Sequence, residues 1–278
     1  MENYLKNKNN DLWNYIEIKN LLFEFLEIYN QRPIINNHGG MEFPSLFALY
    51  FYLKKIKPDF VIESGVYKGQ STWLIEKTLP NADILSIDIH LNNRIYISKK
   101  VTYSNLDFKF QDFSNIASNT LAFFDDHQHA IDRLMQCKWF GIKKIIFDDN
   151  YVPGQGNCYS LKKAILGAGS KKNLDYKTIF LLTYEVLKQL LKKKNSKNYS
   201  IVNKFNHQVF NDTLPNINDK DYLIKNLETY FEFPPLFQTL KNHEFYKKPL
   251  LEMSEKENFY DAYKDNETYV CPTYVKLY

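Results

Sequence analysis

Cysteine is scarce and scattered in this sequence. Cys137, Cys158 and Cys271 are its only three, and they match neither a C-x-x-C redox pair nor the spacing of a zinc site. A reducing, cytoplasmic compartment is the expectation. Long hydrophobic runs are missing too. The longest, Leu46 to Leu53, is far too short to cross a bilayer, and the polar stretch Met1 to Asp11 lacks the apolar core of a signal peptide. No membrane span is therefore expected. Neither sign of charge is in large excess: the net +4 permits an acidic or phosphorylated substrate without demanding nucleic acid. Lys192-Lys193-Lys194-Asn195-Ser196-Lys197 reads as a solvated helix end or loop before it reads as a nucleic-acid patch. Internal repeats and a clean inter-domain linker are absent as well. With 44% apolar and 16% aromatic residues the chain is globular, and its 278 residues suffice for one large core or a core with an appendage.

What is present is a strand, a glycine turn and a helix in immediate succession. Phe60-Val61-Ile62 is an apolar run that ends on an acid, Glu63, and reads as a buried strand. Gly65 and Gly69 follow, with Val66 and Tyr67 between them, and Gln70-Ser71-Thr72-Trp73 opens a helix. Glycines let a backbone approach a ligand closely, and a helix N-terminus offers free N–H groups. A dinucleotide loop needs G-x-G-x-x-G so that a pyrophosphate can sit on the helix end. Here the position two after Gly65 is Tyr67, whose ring would block that approach. This argues against a nicotinamide-dependent oxidoreductase.

Strands and helices alternate from this point on, which is the signature of an α/β sheet. After the helix from Gln70 to about Leu79, further strands are expected at Ile84–Ile87, Phe108–Gln111, Leu121–Phe124 and Lys144–Phe147, with a helix from Gln128 to Trp139. Acids stand at their ends: Asp88, Asp112, Asp125-Asp126-His127 and Asp148-Asp149-Asn150. In open α/β sheets, ligands bind at that edge. Ahead of the sheet, residues 11–30 and Pro44–Lys57 read as helices, forming a helical cap over residues 1–57. The His38-Gly39-Gly40 segment between them is either a lid over the site or a plain connector. Residues 58–278 form the second expected domain. Within it a helix is expected at about Tyr176–Lys193, a polar loop over residues 195–225, and closing strands at Glu228–Phe233 and Thr268–Leu277, the last antiparallel. The fold expected is α/β: a Rossmann-like, doubly wound, mostly parallel seven-stranded sheet with a helical N-terminal cap.

The residual glycine pattern, Glu63-x-Gly65-x-x-x-Gly69, resembles the first motif of class I S-adenosylmethionine-dependent methyltransferases. That resemblance implies a cofactor-binding set of Glu63, Gly65, Val66, Tyr67, Gly69, Gln70, Ser71 and Thr72, in which Glu63 and the Gly65–Gly69 backbone hold the methionine end and Ser71 and Thr72 cap the helix. Asp88, about twenty residues beyond the loop, would hold the ribose; Asp112 and Asp125 complete the cofactor set. Carboxylates converging at two strand ends would repel one another unless a cation joined them, and oxygen donors in this number suit Mg²⁺. Phe123–His127 and Ile145–Asn150 are similar to the paired metal motifs of divalent-metal-dependent O-methyltransferases. The catechol type implies Asp126, Asp149 and Asn150 as ligands; the macrocin-type sugar O-methyltransferases, matched also at Gly156-Asn157-Cys158 and Lys163-Ala164, imply Asp148 and Asp149.

A metal so held would bind the acceptor hydroxyl and lower its pKa, with Asp126 at the reacting centre and His127, then His129, as candidate bases. The long N-terminal lead and the extended C-terminal third depart from the catechol type and disfavour a planar catechol. No Asn/Asp-Pro-Pro-Tyr motif follows the fourth strand, so transfer to oxygen is favoured over transfer to a base nitrogen. The expected acceptor is a small polar molecule such as a sugar, nucleotide sugar or surface-polysaccharide precursor. The alternatives are a metal-independent methyltransferase and a non-catalytic Rossmann-like module that binds RNA. Assembly as a homo-oligomer stays open.

Overall fold

The computed structural model of the chain describes residues 12–167, 218–237, 247–252, 254–255, 259 and 270–278. The helix expected at Tyr176–Lys193 and most of the polar loop after it lie outside these residues. Contacts divide the chain into two compact units. One runs to His127 and adds Asp132–Asn150 and Asn226 onward; the other comprises Gln128–Ile131 and Tyr151–Lys225.

The first unit carries a seven-stranded sheet in the order β3-β2-β1-β4-β5-β7-β6. Its strands are β1 (Phe60–Ser64), β2 (Asp83–Ile87), β3 (Val101–Ser104), β4 (Thr120–Phe124), β5 (Lys144–Phe147), β6 (Leu227–Glu232) and β7 (Thr273–Leu277). Strands β1 to β5 pair in parallel, and β7 is antiparallel to both β5 and β6. This is the doubly wound, Rossmann-like α/β architecture expected. Buried on both faces, β1, β4 and β5 read as unbroken apolar runs, which is why sequence finds them. The chain steps outward from β1 to β3 and returns to β4, so the switch point lies between β1 and β4, where such sheets open a crevice. Register makes that crevice specific. Ser64, Phe124 and Phe147 end their strands level with one another, and Thr273 faces both Phe147 and Glu232. The residues that follow, Gly65, Asp125 and Asp148, therefore leave the sheet side by side.

Two N-terminal helices pack in the same unit. Helix α1 (Tyr15–Tyr29) opens with a capping box in which Asn14 and Glu17 satisfy each other's backbone N–H groups. Its buried positions, Ile18, Leu22, Phe25 and Tyr29, form one apolar stripe. Helix α2 (Phe43–Ile56) is buried without a break from Leu46 to Leu53 and stops at Lys57, whose φ of 47° is left-handed, just ahead of Pro58. Trp13 closes the aromatic core, its ring lying 5.1 Å from Phe231 and 5.4 Å from Phe51 and Tyr274. Each such aromatic contributes roughly 1.5–3 kcal/mol through burial.

One strand differs from expectation. Phe108–Gln111 is not in the sheet: Phe108–Phe110 is a 3₁₀ turn, and β3 is Val101–Ser104. Asp107 caps that turn by accepting from the Lys109 N–H, which lets Phe108 bury against Phe113 and Phe124 while Phe110 stays exposed. The hydrophobic alternation came from a turn with one ring in and one out. Helix α3 (Gln70–Thr78) follows the glycine loop and α4 (Ala130–Trp139) follows β4.

The second unit contains α5 (Leu161–Ile165) and most of α6 (Asp219–Asn226). Ser160 caps α5 by accepting from the Lys163 N–H, while Lys163 Nζ donates to the Cys158 carbonyl.

Candidate active site

The site begins where β1 and β4 end. A Cβ on Gly65 would lie 2.2 Å from the Asp125 carbonyl oxygen, and the residue's φ of +98° is one that only glycine adopts freely. The Asp125 N–H donates to the Ser64 carbonyl at 2.8 Å. At Gly69, which caps α3, a Cβ would meet the Tyr96 carbonyl at 2.7 Å. Both glycines allow close approach of the chain's own backbone. The effect on the site is direct: Asp125 sits against the glycine loop.

Glu63 is fully buried. Its Oε2 accepts from Thr72 at 2.7 Å and Ser86 at 2.5 Å. Among the described residues its Oε1 has no hydrogen-bond partner, and neither amide atom of the buried Gln70 has one. Burial raises the Glu63 pKa above the usual carboxylate range against the pull of these hydroxyls. Three buried polar atoms left open beside a helix N-terminus are costly unless a ligand satisfies them.

Asp88 shapes the loop. Its Oδ2 accepts from the Val66 and Tyr67 N–H groups, each at 2.9 Å, holding Tyr67 at a left-handed φ of 50°. The Tyr67 hydroxyl donates to the His38 carbonyl, Lys68 Nζ donates to the Asn36 carbonyl, and a Cβ on Gly40 would lie 3.0 Å from the Tyr67 ring. The His38-Gly39-Gly40 segment therefore lies against the glycine loop. Asp112 is exposed and accepts the Ser114 N–H of its own turn, which lowers its pKa.

Beyond the loop lie the acids. Ligand atoms of Asp125, His127 and Asp149 all come within 4.8 Å of one another, and His127 Nδ1 stands 2.7 Å from Asp149 Oδ2. His127 takes a left-handed φ of 53°, a strained conformation of the kind that concentrates at functional sites. Burial, then the charges of Asp148, Asp149 and Asp126, push the Asp125 carboxyl well up. Asp148 is also raised, by burial and by Asp149, although a hydrogen bond from Ser45 and the charge of His127 oppose this. Its Oδ1 has no protein partner.

Two expected ligands have other partners. Asp126 Oδ2 is held by Ser64 Oγ at 2.6 Å and by Arg133 at 2.8 and 3.0 Å. Arg133, almost wholly buried, also grips Asp107 with both terminal nitrogens at 2.8 and 3.0 Å. The member of the Asp125-Asp126 pair brought to the cluster is thus Asp125, where sequence put Asp126, because Arg133 holds the second acid. Asn150 is fully buried and donates to Tyr230 and Thr273. His129 belongs to the other unit, where its ring stacks on Tyr159 at 4.6 Å.

Sequence reading missed Ser45, Ser86, Arg133 and Tyr230. Ser86 carried a signal, a lone hydroxyl inside the apolar run Ile84–Ile87, and so did Arg133, a cation one helix turn past the acids. Ser45 and Tyr230 carried none.

No family model matches the chain, and no curated protein is similar to it. Solved structures similar to it include CmcI with SAH, at 17% identity and a TM-score of 0.35 over 40% of this chain and 62% of that one. A CmcI structure with Mg and SAM gives 17% and 0.33 over 39% and 53%. The plantazolicin methyltransferase BpumL, in complex with a triazolic desmethylPZN analog and SAH, gives 16% and 0.38 over 95% and 98%. The SAH-bound methyltransferase PaMTH1 of Podospora anserina gives 14% and 0.34 over 53% and 67%. The chain thus spans less than two thirds of CmcI's length. Likeness at this level carries no assignment of activity, and the Rossmann-like fold stands on the strand order itself.

Proposed function

We propose that the chain transfers a methyl group from S-adenosylmethionine to a hydroxyl of a small polar acceptor, with a divalent cation held by Asp125, His127 and Asp149. The observation that carries this reading is the gathering of those three side chains within 4.8 Å, on a backbone pressed against the glycine loop. Two carboxylate oxygens and an imidazole nitrogen fit Mg²⁺ or Mn²⁺, and a cation would relieve the repulsion that raises Asp125 and Asp148. When bound, such an ion polarises the acceptor oxygen and makes its proton easier to lose.

The chain's own groups supply the rest. Glu63 Oε1 is suited to accept from the ammonium of the methionine moiety, and Gln70 Nε2 and the first amides of α3 to donate to its carboxylate. Asp88 Oδ2 accepts from Val66 and Tyr67 and Oδ1 from the His90 N–H, which leaves a lone pair on Oδ1 for a ribose hydroxyl. Asp148, with an open Oδ1 and a raised pKa, can receive the acceptor proton. The segment His38–Gly40 and Ser45 would cover the site and exclude water. A sugar or sugar nucleotide suits a pocket floored by acids and hydroxyls.

One observation favours a second reading. His127 Nδ1 lies 2.7 Å from Asp149 Oδ2, close enough for the carboxylate to hold the imidazole, which would leave Nε2 to take the proton without a metal. Calorimetric titration of the full chain with S-adenosylhomocysteine, with and without Mg²⁺, followed by a methyl-transfer screen of sugar nucleotides, decides between them. Binding strengthened by Mg²⁺ and activity lost on chelation support the first; activity surviving exhaustive chelation supports the second. No binding of S-adenosylhomocysteine sinks both.

A further inference from the structure

Asn150 is fully buried at the tip of β5, and its hydrogen bonds have a fixed direction. Its Nδ2 lies 2.8 Å from the Tyr230 hydroxyl and 2.8 Å from Thr273 Oγ1. A hydroxyl has one proton, and both have spent theirs. Tyr230 donates to Glu232 Oε1 at 2.6 Å, and Thr273 donates to the Cys271 carbonyl at 2.6 Å. A carboxylate and a carbonyl can only accept, so towards position 150 both hydroxyls present lone pairs. Burial holds the Tyr230 proton firmly in place, since its pKa is pushed far up. Position 150 must therefore carry a two-proton donor of this shape, and its backbone N–H is tied down as well, donating to the Val270 carbonyl at 2.8 Å. The neighbour so anchored is Asp149, the residue that meets His127.

We infer that Asn150 is a positioning residue that works through its Nδ2, clamped by Tyr230 and Thr273 so that Asp149 is held at the cation site. This rests on the metal reading proposed above. It separates two roles that an asparagine beside a metal site can play. If Asn150 acted through its carbonyl oxygen as a ligand, Asn150→Asp would supply a better oxygen and keep or strengthen metal binding. If it acts as a donor, Asn150→Asp places a carboxylate against two oxygen lone pairs, and the clamp opens.

The test is calorimetric titration of the full chain with Mn²⁺ and, separately, with S-adenosylhomocysteine. Asn150→Asp is expected to weaken Mn²⁺ by about 10–100-fold, the range for changes one step from a ligand, while S-adenosylhomocysteine affinity stays within a few-fold. Glu232→Gln added to Asn150→Asp frees the tyrosine proton to turn towards position 150 and should restore part of the Mn²⁺ affinity. Tyr230→Phe alone should weaken Mn²⁺ in the same direction. Mn²⁺ binding that survives Asn150→Asp, or a Glu232→Gln double variant with no recovery, overturns this inference alone. A chain of native sequence that binds no Mn²⁺ overturns the metal reading, and this inference with it. Should Asn150→Asp fail to fold, Tyr230→Phe decides by the same titration.

Discussion

The tips of β4 and β5 carry similar sequences and treat them differently. At each, adjacent polar residues leave a buried strand, and at each one acid goes to the shared cluster: Asp125 from β4 and Asp149 from β5. The neighbours diverge. Asp126 is neutralised by Arg133, and through it is tied to Asp107. Among the described residues no such cation holds Asp148, which keeps an open oxygen, and its carboxyl is pushed up. In the β4 pair the acid held by Arg133 is Asp126 and the one in the cluster is Asp125, whereas in the β5 pair Asp148 keeps an open oxygen beside Asp149. A cation in the scaffold spends an acid on stability; its lack leaves the acid available for chemistry.

The largest effect expected from this difference is on stability. Arg133→Ala removes the buried guanidinium shared by Asp126 and Asp107 and takes a charged partner from two partly buried carboxylates. Such a break costs about 3–5 kcal/mol, read as a lower midpoint in urea at unchanged slope. A loss under about 1 kcal/mol, the value of an exposed pair, would remove the structural half of the comparison. Next comes the contrast within the β4 pair. Asp125→Asn should weaken Mn²⁺ by more than about 100-fold, beyond what outer residues cost, and Asp126→Asn by much less, while Asp126→Asn alone lowers stability by roughly 1–3 kcal/mol. The reverse order of metal affinities would return Asp126 to the ligand role that sequence gave it.

That reversal of roles marks how far the sequence could be read. The strands that floor the site were legible because buried parallel strands are apolar throughout, and the acids at their tips were legible because a polar pair ends each run. Which acid of a pair turns inward was not. It depends on the backbone after the strand, where His127 takes a positive φ, and on a partner in the next helix. Asn150 shows the same limit at longer range. Its two hydroxyl acceptors lie 80 and 123 residues away, and only the level ends of β5, β7 and β6 bring them together. The glycine loop was legible in its place, but its spacing did not show that Asp125 packs against Gly65 and Tyr96 against Gly69.

The smallest effect expected is a dependence of stability on pH, and its sign follows from the same asymmetry. Asp125, Asp148 and Glu63 are all raised above the ordinary carboxylate range, Asp148 to about 7, in each case first by burial and then, for the two aspartates, by neighbouring carboxylates. The folded state thus keeps protons that the unfolded chain releases. Their contribution is full below the unfolded carboxylate value of about 4 and is lost as pH rises through the folded values. Asp107 runs the other way: Arg133 lowers its pKa, so its contribution is present above the unfolded value and lost as pH falls. The metal-free chain should therefore melt at lower temperature near pH 7.5 than near pH 5, by a few degrees for each kcal/mol. On the metal reading proposed above, Mg²⁺ would offer the acids of β4 and β5 the counter-charge that Arg133 gives Asp126, so it should raise the melting temperature more at the higher pH. A metal-free melting temperature that climbs from about pH 5 to 7.5 would mean that the inward acids are as well compensated as Asp126, and the two kinds of acid would cease to differ.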